Sequence, residues 1–284
     1  MVSVILPVRD GSRVVARQLT ALLAQTFLGP WELVVVDNGS LDDTYALATN
    51  ALAEHRPPQL RRAEVLPFRD RHGYASPRNF GATQTSAGVL AFCDADDEVA
   101  PGWLEALHSE IGKHSLLASH QVVGFGVSAE EALPIELPKK MGVPVAHTGG
   151  MCCTRELFEQ VAGFDTYFDM GGEDVDFSFR CLRAAGVTPM LVEGALYHIG
   201  PRSNSSATFR QGYRNGRSQV RLFARHRDYL DEPETSVWVL GRRLRQLARN
   251  SPRLFSDRRK GYLATAGWTL GRALWSLRLQ VDYF

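Results

Sequence analysis

No window of this 284-residue chain approaches the roughly 18 uninterrupted apolar residues that a membrane-spanning helix needs, which excludes an integral membrane enzyme. Peripheral attachment stays open. Cysteine is scarce. Cys93, Cys152, Cys153 and Cys181 show no C-x-x-C spacing and sit among apolar neighbours, so buried reduced thiols are expected rather than a zinc site or disulfides. No internal repeat or low-complexity tract appears, and 44% apolar content argues against disorder. No basic segment precedes the apolar start Val2-Ser3-Val4-Ile5-Leu6 and no small-residue cleavage site follows it. The opening therefore reads as a strand rather than a signal peptide, and the expected location is the cytoplasm, including the inner face of the membrane as a peripheral site.

The net charge of +1 hides an asymmetry. Residues 201–284 carry 17 Lys/Arg and 6 Asp/Glu, whereas residues 1–200 carry 15 and 25, so the two parts stand at +11 and −10. That division predicts an acidic, metal-using catalytic domain over 1–200 and a basic helical extension over 201–284 that meets something anionic.

Three apolar runs, Val2–Val8, Leu33–Asp37 and Val89–Asp94, alternate with helical patterns, the rhythm of an α/β fold with a mostly parallel central sheet flanked by helices. One helix is read from Val14-Val15, Leu19 and Leu22-Leu23. A second, over Tyr45 to Leu52, is entered through Ser40-x-x-Asp43 as a capping signal and ended by Pro57-Pro58. Residues 125–145, with Pro134, Pro138 and Pro144, read as a connecting loop, and a new helix follows Thr154. From Ser206 onward the chain reads as helical, with breaks near Pro233 and at Ser251-Pro252.

The densest chemical signal is Ala91-Phe92-Cys93-Asp94-Ala95-Asp96-Asp97, an apolar run that ends in carboxylates. In an extended chain Asp94 and Asp96 face the same side and can share one hard cation, and Mg²⁺ binds through one or two carboxylates plus substrate phosphates. The plainer alternative is that Asp96 and Asp97 cap the helix that follows Pro101. Asp37 ends the second strand, where open α/β sheets bind ligands; its carboxylate could accept the imide N–H of uracil or thymine, or simply shape an Asx-turn. Arg78, in Ser76-Pro77-Arg78-Asn79-Phe80-Gly81, is a candidate for a nucleotide's diphosphate or base side, with a surface salt bridge as the ordinary alternative. The run Gly171-Gly172-Glu173-Asp174-Val175-Asp176 opens another helix. Its carboxylates complement the helix dipole, or one of them acts as a general base with its pKa raised by burial and acidic neighbours. His198, ending a strand, is either a structural residue or a metal ligand alongside Asp96.

Taken in order, Val4-Ile5-Leu6-Pro7-Val8, Val35-Val36-Asp37-Asn38-Gly39-Ser40, Arg78-Asn79-Phe80-Gly81, Asp94-Ala95-Asp96-Asp97 and Gly171-Gly172-Glu173-Asp174-Val175-Asp176 resemble the family 2 glycosyltransferases, inverting enzymes with the Rossmann-like GT-A fold. The resemblance covers about residues 2–200. It implies a hexosyl transfer from a nucleoside-diphosphate sugar, UDP- or dTDP-linked, to a sugar, lipid-linked or other glycoconjugate acceptor, with Mg²⁺ or Mn²⁺ as cofactor. On that resemblance Asp37 contacts the donor base, Asp94 the ribose or metal region, Asp96 the cation in a DXD-type motif, and Asp174 is the base. Glu173 assists the acceptor, His198 matches a histidine metal ligand, and Pro7, Val8, Arg9 and Ala95 join Arg78 in the donor-binding set. The chain departs from the family in carrying Asp37-Asn38 where Asp-Asp is frequent, and Arg9 where a small polar residue is common. Processive members carry Gln-x-x-Arg-Trp; here Gln211-Gly212-Tyr213-Arg214 is followed by Asn215, which points to single addition. A sugar-phosphate nucleotidyltransferase and a catalytically silent nucleotide-sugar-binding scaffold are the competing readings.

In the extension, Arg214, Arg217, Arg221 and Arg225 would form one basic stripe on a helix. With Trp238, Trp268 and Trp275 nearby, the helices either lie on an anionic membrane or pack on the catalytic domain or on a second subunit, a homo-oligomer. No recognition module supports a nucleic-acid partner.

Overall fold

The unbroken apolar runs become the inner strands of one sheet. The computed structural model describes residues 1–54, 56–69, 73–123, 137–168, 170–198, 205–228, 237–256 and 259–279. The chain divides into two compact units, residues 1–169 with 173–200, and residues 170–172 with 201–284.

In the first unit the elements are β1 (Val2–Val8), α1 (Val15–Leu23), β2 (Trp31–Asp37), α2 (Thr44–Glu54), β3 (Leu60–Pro67), α3 (Ala75–Thr83), β4 (Val89–Cys93), β5 (Asp97–Val99), α4 (Trp103–Ile111), β6 (Leu116–Val123), β7 (Lys139–Lys140), β8 (Val143–Pro144), β9 (Gly150–Thr154), α5 (Arg155–Gln160), α6 (Glu173–Ala185) and β10 (Met190–His198). The eight-stranded sheet runs β3-β2-β1-β4-β9-β6-β10-β5, with β7 and β8 forming a separate hairpin. β1, β2, β3 and β4 are mutually parallel, while β9 inserts antiparallel between β4 and β6. All seven residues of β2 are buried, as expected where helices cover both faces of parallel strands.

Side-chain alternation sorts the core into two layers. Val4, Leu6, Ala91 and Cys93 point to the face covered by Leu19 and Leu22 of α1, Leu52 of α2 and Trp103 and Leu107 of α4. Ile5, Leu90 and Phe92 point to the opposite face, against Ala82 of α3, Phe158 of α5 and Phe177 of α6. There Phe92, Phe158, Phe164 and Phe177 pack in stacked, edge-on and tilted pairs, with centroids 4.9 to 5.8 Å apart. The same alternation separates the buried, reduced cysteines: Cys93 and Cys152 lie in the first layer, Cys153 and Cys181 in the second. Burial pushes the thiols upward, Cys181 to about 12.

Two local expectations change. The entrance to α2 is held by Asp42, whose carboxylate accepts from the Thr44 backbone N–H at 3.1 Å and from the Thr44 hydroxyl. These bonds, led by the hydroxyl, lower the Asp42 pKa to about 2. Ser40 instead accepts from the Asp10 N–H at 2.9 Å. Of the connecting loop, residues 124–136 lie outside the described residues, and residues 139–144 form the β7–β8 hairpin. Thr154 caps α5 as its position suggested, accepting from the Leu157 N–H at 3.2 Å.

The second unit contains α7 (Ser205–His226), α8 (Val237–Arg249) and α9 (Arg259–Leu279). Among the described residues no helix is long and apolar enough to cross a membrane. Helices α7 and α9 run parallel and meet through two pairs of glycines one turn apart. Gly267 faces Phe209 and Tyr213, Gly271 faces Tyr213 and Arg217, and Gly216 faces Trp268 and Arg272. Glycines spaced at i, i+4 on both helices let the backbones approach directly. Arg217 and Arg221 stack on Trp275 at 5.3 and 5.6 Å, with the Trp275 indole N–H donating to the Tyr213 hydroxyl at 3.3 Å. The arginine stripe of α7 is therefore part of an internal seam: Arg221 is buried, Arg214 and Arg217 are half-buried, and Arg225 alone of the four is exposed.

A methyl group at Gly216 would stand 3.0 Å from the Arg272 N, and one at Gly267 would stand 2.9 Å from the Tyr213 N. Alanine favours an isolated helix over glycine by ~1 kcal/mol. In this pair the clash outweighs that preference, so Gly216→Ala and Gly267→Ala are each expected to destabilise by roughly 1–3 kcal/mol. Urea denaturation followed by tryptophan fluorescence checks this, and a midpoint unchanged or raised would mean that the backbones do not approach so closely.

Candidate active site

The site begins where β4 ends. Asp94 follows the last strand residue, and the Asp97 N–H donates to the Asp94 carbonyl at 3.3 Å, closing a tight turn. Asp94 and Asp96 thus project from a turn, which corrects the extended, same-face geometry expected of them. Asp94 and Asp96 are half-buried, and Ala95 between them is buried. Asp97 is buried and starts β5, and the next helix is entered through Gly102, so neither Asp96 nor Asp97 caps it.

Arg78, from α3, is only 3% exposed. One terminal nitrogen donates to Glu173 Oε1 at 2.9 Å and to the Tyr74 carbonyl at 3.1 Å, and the other to Asp94 Oδ1 at 2.5 Å. The guanidinium is therefore neither a surface salt bridge nor a freely offered diphosphate clamp. It ties the acidic turn after β4 to the head of α6. Burial works against its charge, but Asp94 and Glu173 outweigh that and raise its pKa.

Gly171 and Gly172 have φ of +119° and +94°, a region that glycine enters at little cost, and they deliver the chain into α6 with Glu173 as its first residue. Asp174 follows. Its Oδ1 accepts from the Val175 N–H at 2.8 Å and its Oδ2 pairs with His147 Nδ1 at 2.7 Å. His147 lies between β8 and β9. Its loop is tied to α6 through Ser178, whose hydroxyl accepts from the Ala146 N–H at 3.1 Å and donates to the Asp174 carbonyl at 2.9 Å. Asp176, the third carboxylate of the run, is wholly buried and accepts from Arg180 Nε at 2.7 Å, an arrangement internal to α6.

The two adjacent acids are driven apart. Burial, then the neighbouring Asp174 charge, pushes Glu173 up to about 8, and its Oε2 is buried without a hydrogen-bond partner. Burial also works to raise Asp174, but the charge and hydrogen bond of His147 prevail and hold it below the usual carboxylate range. The upward shift expected of the base thus falls on Glu173 and not on Asp174. For His147, burial opposes protonation and Asp174 favours it more strongly, so its pKa is raised.

The other sequence-derived residues stand at the neighbouring strand ends. Asp37 closes β2 in register with Val8, its carboxylate accepts from the Ser40 N–H at 3.3 Å, and Asn38 N–H donates to the Val8 carbonyl at 2.8 Å. Asp37 thus shapes the β2–α2 connection through a bond to the N–H three residues on, rather than the two-residue bond of an Asx-turn. Pro7 is half-buried and Val8 buried, while Arg9 is exposed with its Nε 3.6 Å from Asp10. His198 is the last residue of β10, in antiparallel register with Asp97, which sets its backbone beside the acidic turn. His147 carries no signal in sequence, because a lone histidine in a loop gains its partner only through the fold.

The chain belongs to glycosyl transferase family 2, whose family model matches residues 3–151. Over 213 residues, 66% of this chain, it is 29% identical to O-antigen biosynthesis protein RfbC of Myxococcus xanthus; over 232 residues, 67% of this chain, it is 25% identical to polypeptide N-acetylgalactosaminyltransferase 6 of Bos taurus. It spans only 16% and 36% of the lengths of those two relatives. Among solved structures, the mannosyltransferase PcManGT of Pyrobaculum calidifontis, in complex with GDP-Man and Mn²⁺, superposes with a TM-score of 0.70 at 18% identity, covering 97% of this chain and 86% of that one. TarS 1–349 of S. aureus, in complex with UDP-GlcNAc, gives 0.57 at 15% identity, covering 100% and 93%. These likenesses establish the GT-A fold.

Because native Glu173 binds a proton that the unfolded chain has already released, stability should fall as pH rises from about 4.5 to about 8. Glu173→Gln is expected to remove that part of the fall while keeping an acceptor for Arg78. Urea midpoints measured at about pH 5 and about pH 8 decide it, since an unchanged difference between the two would place the titration elsewhere. Arg78→Ala leaves buried Glu173 and half-buried Asp94 without their shared donor and is expected to cost about 1–3 kcal/mol by the same denaturation measurement.

Proposed function

We propose that this chain is a metal-dependent, inverting glycosyltransferase that moves one sugar from a nucleoside-diphosphate donor, UDP- or dTDP-linked, to an acceptor hydroxyl. The observation that carries the reading is the Arg78 bridge, which unites a turn of carboxylates suited to a metal diphosphate with an adjacent, ionised Asp174 suited to a base. The GDP-Man and UDP-GlcNAc in the structures of similar fold support a nucleotide-sugar donor.

The site fits a hard divalent cation. Asp96 offers a half-buried carboxylate, and among the described residues no group of three His, Cys, Asp or Glu side chains closes around a metal. A cation held by Asp96, with His198 at the adjoining register position, would take its remaining ligands from phosphate and water, as Mg²⁺ and Mn²⁺ sites do. When bound, the metal neutralises the charge that develops on the leaving diphosphate. Asp37 accepts the imide N–H of the base, with Pro7, Val8, Arg9 and Ala95 around the nucleotide. Arg78 orients Asp94 towards the donor.

Asp174 receives the acceptor's proton as the acceptor oxygen bonds to the anomeric carbon and the bond from that carbon to the diphosphate oxygen breaks. A base with a low pKa takes the proton only as the hydroxyl becomes acidic on attack, so transfer accompanies bond formation. A base without a protein nucleophile gives a single displacement and inversion, the stereochemical logic that separates inverting from retaining glycosidases. Glu173, neutral at Oε2, assists in positioning the acceptor. A sugar, a lipid-linked glycan or another glycoconjugate fits this chemistry.

Asp174→Asn is expected to lower turnover at least roughly a hundredfold with donor binding retained, whereas Asp96→Ala abolishes metal-dependent donor binding. Calorimetry and product assays over a panel of UDP-, dTDP- and GDP-sugars with Mn²⁺ or Mg²⁺ check both. Failure to bind any donor would favour the silent scaffold. His147→Gln removes the group that holds Asp174 low, so the acid limb of the kcat/KM profile should move to higher pH. An unmoved limb would separate His147 from the base.

A further inference from the structure

Helix α9 has three faces. Gly267 and Gly271 meet α7, while Trp268 receives Arg243 of α8 at 4.3 Å. The third carries Leu263, Ala266, Leu270, Ala273, Leu274 and Leu277, spaced three, four and seven residues apart along about 21 Å of helix. Leu270, Leu274 and Leu277 are 43, 48 and 66% exposed, although each is a residue type that normally gains from burial. No charged side chain interrupts this stripe. Exposed Arg259 and Lys260 stand at its start and exposed Arg278 at its end.

Charge selects the occupant. Residues 201–284 carry 17 basic and 6 acidic side chains, and α8 adds exposed Arg242, Arg245 and Arg249 on one side of the helix. A second copy of the chain on the leucine stripe would bring two segments of +11 together. An anionic bilayer instead accepts the leucines below its headgroups and the arginines among them, each basic residue near the surface contributing ~1 kcal/mol.

We propose that the Leu263–Leu277 face of α9 is a docking surface for an anionic lipid bilayer. This places the membrane-facing surface on α9, whereas the arginine stripe of α7 is largely turned inward. Docking is separate from sugar transfer and needs neither donor nor acceptor.

Co-sedimentation of the full chain with vesicles of phosphatidylcholine, with and without phosphatidylglycerol, tests it. Binding is expected only to the phosphatidylglycerol vesicles and to weaken as salt is raised. The Leu270→Gln/Leu274→Gln/Leu277→Gln variant should bind at least roughly tenfold more weakly while its circular dichroism shows it folded. Absence of binding to anionic vesicles, or equal binding by the folded variant, overturns the proposal. A dimer of the unsubstituted chain that the triple substitution dissolves, without vesicle binding, assigns the face to a second copy.

Discussion

The buried guanidinium of Arg78 is the interaction on which the candidate site depends. A charge 3% exposed is costly to hold away from water unless it is paired and hydrogen-bonded. Here it is bonded to Asp94, Glu173 and the Tyr74 carbonyl, and so fixes three segments that are far apart in sequence: α3, the turn after β4 and the head of α6. Removing either acid would weaken the compensation for the arginine, and removing the arginine would leave the acids facing one another. The pair of neighbouring acids at the start of α6 gains its division of labour from burial and from His147, with Arg78 working against the neutral form of Glu173. Glu173 is buried against Arg78 and driven towards the neutral form, whereas Asp174 is turned to His147 and kept ionised. Two chemically similar groups acquire different protonation states from their surroundings, the pattern that acid–base sites exploit.

The sheet explains why this cluster sits where a nucleotide would. β1, β2 and β4 run in parallel, so Val8, Asp37 and Asp94 come at neighbouring carboxyl ends, the edge where open α/β sheets take their ligands. Antiparallel β9 interrupts that run and brings the His147 loop back over α6, where Ser178 ties the two together. A purely parallel arrangement would not deliver that loop to Asp174. The rigid, two-layered core behind these ends holds the polar groups still without itself being polar.

The second unit solves a different problem. A strongly basic segment resists compaction through self-repulsion, and its helices overcome this by direct backbone approach at paired glycines and by stacking arginines on Trp268 and Trp275. The cation–π contacts disperse charge against apolar surface and leave the outward leucines of α9 uncovered. Packing and surface character in this unit therefore come from different faces of the same helix, α9.

Sequence by itself determined the elements whose signal is local. The runs Val2–Val8, Leu33–Asp37 and Val89–Asp94 had to be buried strands because polar residues are nearly absent from them, and Pro57-Pro58 and Ser251-Pro252 had to interrupt helices because proline lacks the donor. The Asp94–Asp96 and Glu173–Asp174 carboxylates were visible for the same reason, as acids placed directly after an apolar strand or two glycines. Tertiary structure alone decided their partners. Asp94 and Asp96 project from a turn because the Asp97 N–H closes it; Arg78 meets carboxylates 16 and 95 residues away; and His147 reaches Asp174 across 27. The arginine periodicity of α7 could place those side chains on one face but not say which way the face would turn. That was settled by the glycine seam with α9, since the distance between two backbones depends on both helices at once, and periodicity in one segment records only its own.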